Sequence, residues 1–283
     1  MIKSPKTYKE QIDILKSKNI IITDKKFCLD AISRLNYYRF TAYMLQYKIS
    51  DDEYVPVSFE KIYNIYEFDR KLRGLLLIAL EEIEILLRAK LSYYHAHKFG
   101  PLGYLNISNY NPSHRHEQFI HDFNRLVNKN KDNVFLVQYV SNKHRKIPIW
   151  IAVELFSFGM LSRFYADMHV KDKKNIARDE FNLSYQQLES WLLCISTLRN
   201  RCAHYMRLYN APFNKWPSSV KDDIALSNKV FDYIYIIKYF YSDAEKWNQS
   251  FLANLDALIN QYEEYIDLNY IGFPENWNEF LKM

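Results

Sequence analysis

The stretch Trp191-Leu-Leu-Cys-Ile-Ser-Thr-Leu-Arg199-Asn-Arg-Cys-Ala-His204 decides how this chain is read. Trp191, Ile195, Leu198 and Cys202 recur at i, i+4, i+7 and i+11, the apolar stripe of a packed helix. Continued to residue 208, that helix would set Asn200, His204 and Arg207 on nearly one line. Arg199 and His204 are five residues apart, about 140° around an ideal helix, so long side chains or a local bend must bring them to one cleft. A guanidinium beside an imidazole suits phosphate chemistry. The imidazole can move a proton near neutral pH, and the guanidinium can hold charge developing on phosphorus. The plainer reading is that both residues cap carbonyls at a helix C-terminus and complement its dipole. Asn200, Arg201 and Arg207 weigh toward the chemical reading, because they add polar and cationic groups to the same turns.

Working outward, helical periodicity dominates. Tyr8–Lys16 and Lys25–Leu35 read as amphipathic helices, the second entered through Thr23-Asp24 as N-cap. Tyr37–Tyr47 continues as an apolar run, and residues 49–56 form a polar boundary. Ser58 precedes a long helix that runs past Glu81-Glu-Ile-Glu-Ile-Leu-Leu-Arg88 and stops at Phe99-Gly100-Pro101. His114–Lys129 follows as a helical segment, and Asn133–Val140 is a short apolar stretch. A helix from Pro148 is expected to stop at Ser157-Phe158-Gly159, with another over Met160–Met168 and a basic turn at Lys171–Lys174. Ser184 caps the helix that carries the opening stretch. Pro212 and Pro217 mark a second boundary, and residues 219–265 are expected to form two more helices. The architecture is an all-α bundle built on the helices at 58–97 and 184–208 as an antiparallel core pair. Three regions are expected within one compact unit: 1–55, a core at 56–211, and 212–283.

Composition narrows the function. Only 5 glycines occur in 283 residues, and neither GxGxxG nor a P-loop is present, which disfavours the common nucleotide-dependent folds. The 24 tyrosines serve core packing or base stacking. A net charge of +5 permits a phosphate-bearing partner without demanding one. Cys28, Cys194 and Cys202 are scattered with no CxxC, which excludes a zinc-finger spacing or a disulfide framework and fits a reducing compartment. No signal peptide or membrane span is evident, so a cytoplasmic protein without membrane contacts is expected.

The blocks that accompany the motif are specific in their joint order. They are Leu35-Asn-Tyr-Tyr-Arg39 with Tyr43, Ile65-Tyr-Glu-Phe-Asp-Arg-Lys-Leu-Arg73, Glu82-Ile-Glu-Ile-Leu-Leu-Arg88, Trp150 with Glu154, Ser157-Phe-Gly159, Leu161-Ser162, Leu198–His204, and the tail Gly272-Phe-Pro-Glu-Asn-Trp277. In these the chain resembles the Abi-like family of bacterial abortive-infection proteins, of the AbiD/AbiF type, over nearly its whole length. That family is similar to the HEPN superfamily, helical ribonucleases whose Arg-x(4–6)-His motif cuts RNA without metal. The resemblance implies a HEPN-like bundle in which Arg199 and His204 are the catalytic pair and Asn200 is the polar residue inside the motif. It further implies RNA as substrate, a homodimer with a composite site, no cofactor, and a restraining noncoding RNA or other partner.

Other clusters invite competing readings. Arg88-Ala-Lys-Leu-Ser-Tyr-Tyr-His95 is a second Arg/His spacing that could form another half-site. Alternatively, Arg88 is a structural or RNA-contacting charge. His114, His116 and His121 suggest zinc, but His116 and His121 are one residue too far apart for HExxH, and a solvated helix start is the better reading. Arg39, Arg70, Lys71 and Arg73, interleaved with Tyr37, Tyr38 and Tyr66, either bind RNA by charge and stacking or form surface charges over a tyrosine-rich core. Arg88, Arg201 and Arg207 join them as candidate RNA contacts.

Overall fold

Several helix starts in this chain are set by side-chain caps. A computed structural model describes residues 4–51, 53–141, 146–218 and 226–283. Thr7 opens α1 (Tyr8–Ser17) through a reciprocal capping box with Glu10. Asp24 accepts from the Phe27 amide at 2.8 Å to open α2 (Lys25–Arg34), and Asn36 opens the short α3 (Tyr37–Thr41). Ser58 accepts from Lys61 at the head of α4 (Phe59–Phe99), whose 41 residues make a rod about 60 Å long. Gly100, at φ +78°, ends it as the sequence suggests.

Short helices follow: α5 (His116–Lys129), α6 (Val134–Val140), α7 (Ile149–Ala152), α8 (Phe158–Ala166) and α9 (Val170–Phe181). Ser184 and Gln187 form a second capping box at the start of α10 (Tyr185–Ala203). Beyond it lie α11 (Val230–Ile237) and α12 (Ala244–Lys246), which widens into a π-helical stretch and resumes as α13 (Ala253–Tyr262), before the closing α14 (Trp277–Leu281).

Four expectations need correction. The helix from Ile149 does not run to Ser157. It tightens into a 3₁₀ turn over Val153–Leu155, and Ser157 instead caps α8 through the Met160 amide at 3.3 Å. The basic run Lys171–Lys174 lies in α9, where Lys173 reaches Glu189 at 2.6 Å and the Ala166 carbonyl at 3.1 Å, so its charge is matched internally. The boundary near residue 56 is stitched rather than open. Strand β1 (Ile20–Ile21) pairs in parallel with β2 (Val57–Ser58), fastening the N-terminal helices to the head of α4. Helix α10 ends at Ala203, short of Arg207. Residues 219–225, where the first C-terminal helix was expected to begin, lie outside the described residues.

Helix α10 packs against α4, α8, α9 and α11, and α13 lies along α4. Trp191, Leu192, Ile195, Leu198 and Cys202 are buried as their spacing predicts. Each such side chain contributes about 1.5–3 kcal/mol of transfer free energy. One apolar cluster runs from Ile12 to Leu281, so the three sequence regions share a single core.

Candidate functional site

The motif sits where α10 stops. The Tyr205 amide donates to the Cys202 carbonyl at 3.1 Å, and the Met206 amide donates back to Arg201 at 2.9 Å. These are the two bonds of a Schellman C-cap, with His204 as the cap and Tyr205 in the left-handed position at φ +57°. The chain then turns inward and is anchored by Asp69 of α4. The fully buried Asp69 carboxylate accepts from the Leu208 amide at 3.1 Å, the Tyr209 amide at 2.9 Å and the Tyr43 hydroxyl at 2.5 Å, and it pairs with Arg73. Burial pushes the Asp69 carboxyl up, while Arg73 and these donors pull it back. Asp69 therefore fixes the segment leaving the motif.

His204 and Asn200 are exposed, and neither side chain hydrogen-bonds any described residue. Arg199 is 36 % exposed, and its Nε lies 3.3 Å from Oε2 of Glu84 on α4. Arg88 grips the other Glu84 oxygen and also donates to the Val153 carbonyl. Glu84 and Arg88 are i, i+4 neighbours on α4, whereas the reach of Glu84 to α10 is set by how the two helices meet.

Arg199 and His204 line different clefts of one protomer. The Arg199 cleft, about 360 Å³, is lined by Leu77, Glu81, Glu84, Ile85 and Arg88. The His204 cleft, about 560 Å³, is lined by Tyr38, Arg39, Tyr43, Tyr205 and Arg207 among others. Between them lies a third, of about 510 Å³. It shares Leu77 with the first and Arg39 and Tyr205 with the second, and it adds Arg34, Tyr66, Arg70 and Gly74.

The candidate RNA-contacting cations divide by exposure. Arg39 is exposed, and its Nη1 donates to the Tyr205 carbonyl at 2.5 Å. Arg70 is exposed and pairs with Glu67 at 2.8 Å. Lys71 donates to Gln261 at 3.1 Å and lies 4.9 Å from the Tyr262 ring centroid, away from the three clefts. Arg73 is buried against Asp69 and is a structural cation, contrary to expectation. Arg88 is likewise engaged by Glu84 and Val153. Arg201 donates to the Pro212 carbonyl at 2.8 Å and stacks 3.8 Å over Phe213, and burial lowers its pKa. Arg207 leaves the helix line drawn for it and donates to the Ala42 carbonyl, also with a pKa lowered by burial. Arg34, not anticipated, stands exposed at the central cleft.

The second Arg/His spacing forms no half-site. His95 is wholly buried beside Phe99 (4.9 Å) and Phe164 (5.3 Å), and burial pushes its pKa down to about 4. Nor is the 114–121 cluster a simple solvated helix start. His114 is buried, stacks on Tyr110 at 3.9 Å and bonds Asp167 at 2.8 Å, while His116 meets the Leu105 carbonyl at 3.1 Å. His121 is exposed. Among the described residues no three His, Cys, Asp or Glu side chains are grouped to hold a metal. No helix among them is long and apolar enough to cross a membrane. Cys202, inside the motif, is buried with its thiol pushed up to about 12, so it stays protonated and is no nucleophile.

The family model for Abi-like proteins matches residues 30–210, more than half of the chain, and includes every residue that lines these three clefts. The chain belongs to the Abi-like protein family. No curated protein and no solved structure matches it. The matched span of this Abi-like chain includes Arg39, Asp69, Glu84 and the motif, and ends just past the Asp69-anchored segment.

Proposed function

We propose that this Abi-like chain is a HEPN-type endoribonuclease acting as a toxin in abortive-infection defence, with Arg199, Asn200 and His204 at its centre. The observation that supports this most is the His204 cleft. An exposed imidazole with no side-chain partner among the described residues shares a cleft with the cation Arg39 and the exposed rings of Tyr38 and Tyr205. Cations with interleaved aromatic faces suit single-stranded RNA, whose phosphates and unstacked bases are both accessible.

The chemistry needs a proton taken and a proton given. A base removes the 2′-OH proton, and the 2′-oxygen attacks the adjacent phosphorus. The P–O5′ bond breaks, and an acid protonates the leaving oxygen, giving a 2′,3′-cyclic phosphate and a 5′-OH. Arg199 and Asn200 stabilise the phosphorane. One chain offers one exposed motif histidine, whereas two copies offer a base and an acid. Placing the two motifs together would also join Arg199 and His204, which one protomer keeps in separate clefts. The exposed Ile78 (63 %) and Ile85 (59 %) on α4, Ile85 lining the Arg199 cleft, would be covered by the second copy. No cofactor is required by this scheme. Because a free ribonuclease would harm its host, a restraining noncoding RNA or other partner is part of the proposal.

The test is incubation of the purified protein with total RNA in EDTA, beside His204→Ala, with fragment ends mapped. Cleavage by wild type alone, leaving cyclic phosphate, is expected. Equal cleavage by the variant would refute the assignment. The separation of Arg199 from His204 favours one alternative, a non-cleaving protein that holds a cognate RNA. That alternative predicts a discrete co-purifying RNA and no cleavage even after the RNA is stripped away.

A further inference from the structure

Among the described residues, five non-glycine residues adopt left-handed backbone: Asn19, Asn182, Asn210, Asn228 and Tyr205. Asparagine tolerates this region because its short amide satisfies local backbone groups, but a bulky side chain there is an outlier. Tyr205 is thus the exception, in the C-cap position where glycine is the common choice. Its ring gains little from burial, since the residue is 66 % exposed. Nor does the hydrogen bond that ties it down depend on the ring, because Arg39 holds its backbone carbonyl. Fold stability therefore gives no reason for a tyrosine here. Strained backbone of this kind clusters at binding sites, where the surrounding structure sustains it.

The position supplies a reason. Tyr205 directly follows His204 and forms a wall shared by the His204 cleft and the arginine-lined central cleft. Tyr38, exposed at 72 %, lines the His204 cleft with it, and Arg39 lines both. An aromatic face flanked by a guanidinium matches a nucleotide, base on ring and phosphate on cation. We propose that Tyr205 is the stacking platform for an unpaired base, seating the nucleotide next to His204 while Arg39 takes its phosphate. This rests on the RNA reading above and names the subsite of that site.

Tyr205→Gly and Tyr205→Phe separate a stacking role from a structural one. Both leave the Arg39–carbonyl bond in place, and the melting temperature of each variant monitors folding. Binding would be measured with a single-stranded 2′-O-methyl RNA 12-mer, which cannot be cleaved by 2′-OH attack, and with the same backbone carrying abasic sites. Tyr205→Gly is expected to melt higher than wild type, yet to bind the base-bearing RNA about tenfold more weakly. Tyr205→Phe should bind like wild type. The wild-type preference for base-bearing over abasic RNA should vanish in Tyr205→Gly alone. Equal RNA binding by Tyr205→Gly and wild type overturns the stacking role while leaving the RNA reading intact. An equal loss in Tyr205→Phe also overturns it. A wild-type protein without RNA affinity overturns both.

Discussion

Replacing His95 by leucine should stabilise the protein, and stabilise it more as the solution is acidified. His95 is buried among Phe99, Tyr110 and Phe164, and neither ring nitrogen has a hydrogen-bond partner among the described residues. Leucine is of similar size, so it should take the space of the imidazole beside Gly103, where even an added Cβ would lie only 3.1 Å from the ring. Removing the orphaned donor and acceptor should add about 1–2 kcal/mol at pH 7. The pH dependence follows from the lowered pKa. His95 stays neutral in the folded chain down to about pH 4, while in the unfolded chain it takes a proton near its ordinary value of 6.5. Unfolding therefore binds a proton between those values, and wild-type stability falls as pH drops through that window. Linkage gives about 2 kcal/mol between pH 7 and pH 5, approaching about 3 kcal/mol below pH 4. Urea unfolding of both proteins at pH 7 and pH 5 isolates the effect, since other titrating groups cancel in the difference. The stability gap should widen by about 2 kcal/mol at pH 5. A gap that is the same at both pH values would show that His95 is not held neutral by burial.

Three further outcomes are expected. Arg73→Leu should cost about 3–5 kcal/mol in chemical denaturation, because it strands the Asp69 carboxylate; a loss below 1 kcal/mol would mean that Asp69 is protonated or hydrated. Glu84→Gln should slow RNA cleavage by about tenfold through misplacement of Arg199. The Glu84→Gln/Arg199→Ala double variant should then be no slower than Arg199→Ala, whereas losses that multiply would show Glu84 acting elsewhere. Arg39→Ala should weaken RNA binding equally across sequences and reduce the salt slope by about 1, as loss of one phosphate contact does; a sequence-dependent loss would place Arg39 on a base instead.

Much of the helical frame was legible because its signals are local. Asp24, Ser58 and Ser184 each cap the helix that follows them, and the Trp191–Cys202 stripe is buried as its period requires. The misplaced boundaries have local causes too. Ser157 followed by Phe158-Gly159 reads as a stop, yet its hydroxyl starts a helix. The α10 register was carried past Ala203 because no glycine announced the end, the left-handed position being filled by Tyr205. What sequence could not show is which charges are consumed across the fold. Arg73, Arg201 and Arg207 look as available as Arg39 and Arg70, but they are buried or half-buried against Asp69, the Pro212 carbonyl and the Ala42 carbonyl, whereas Arg39 and Arg70 stay exposed. Glu84 illustrates the same limit. Its intrahelical pair was readable, whereas its reach to Arg199 depends on how α4 meets α10.

The Asp69 carboxylate has a consequence for how the protein is made. Two of its donors are amides 139 and 140 positions further along the chain. Until those residues leave the ribosome, the Asp69 carboxylate has only Arg73 and the Tyr43 hydroxyl to offset the cost of its burial. Closing so distant a contact is slow compared with forming a helix. The segment that sets His204 in place therefore cannot be anchored before residues 208 and 209 are made, and a chain cut short of them holds the motif without a formed site.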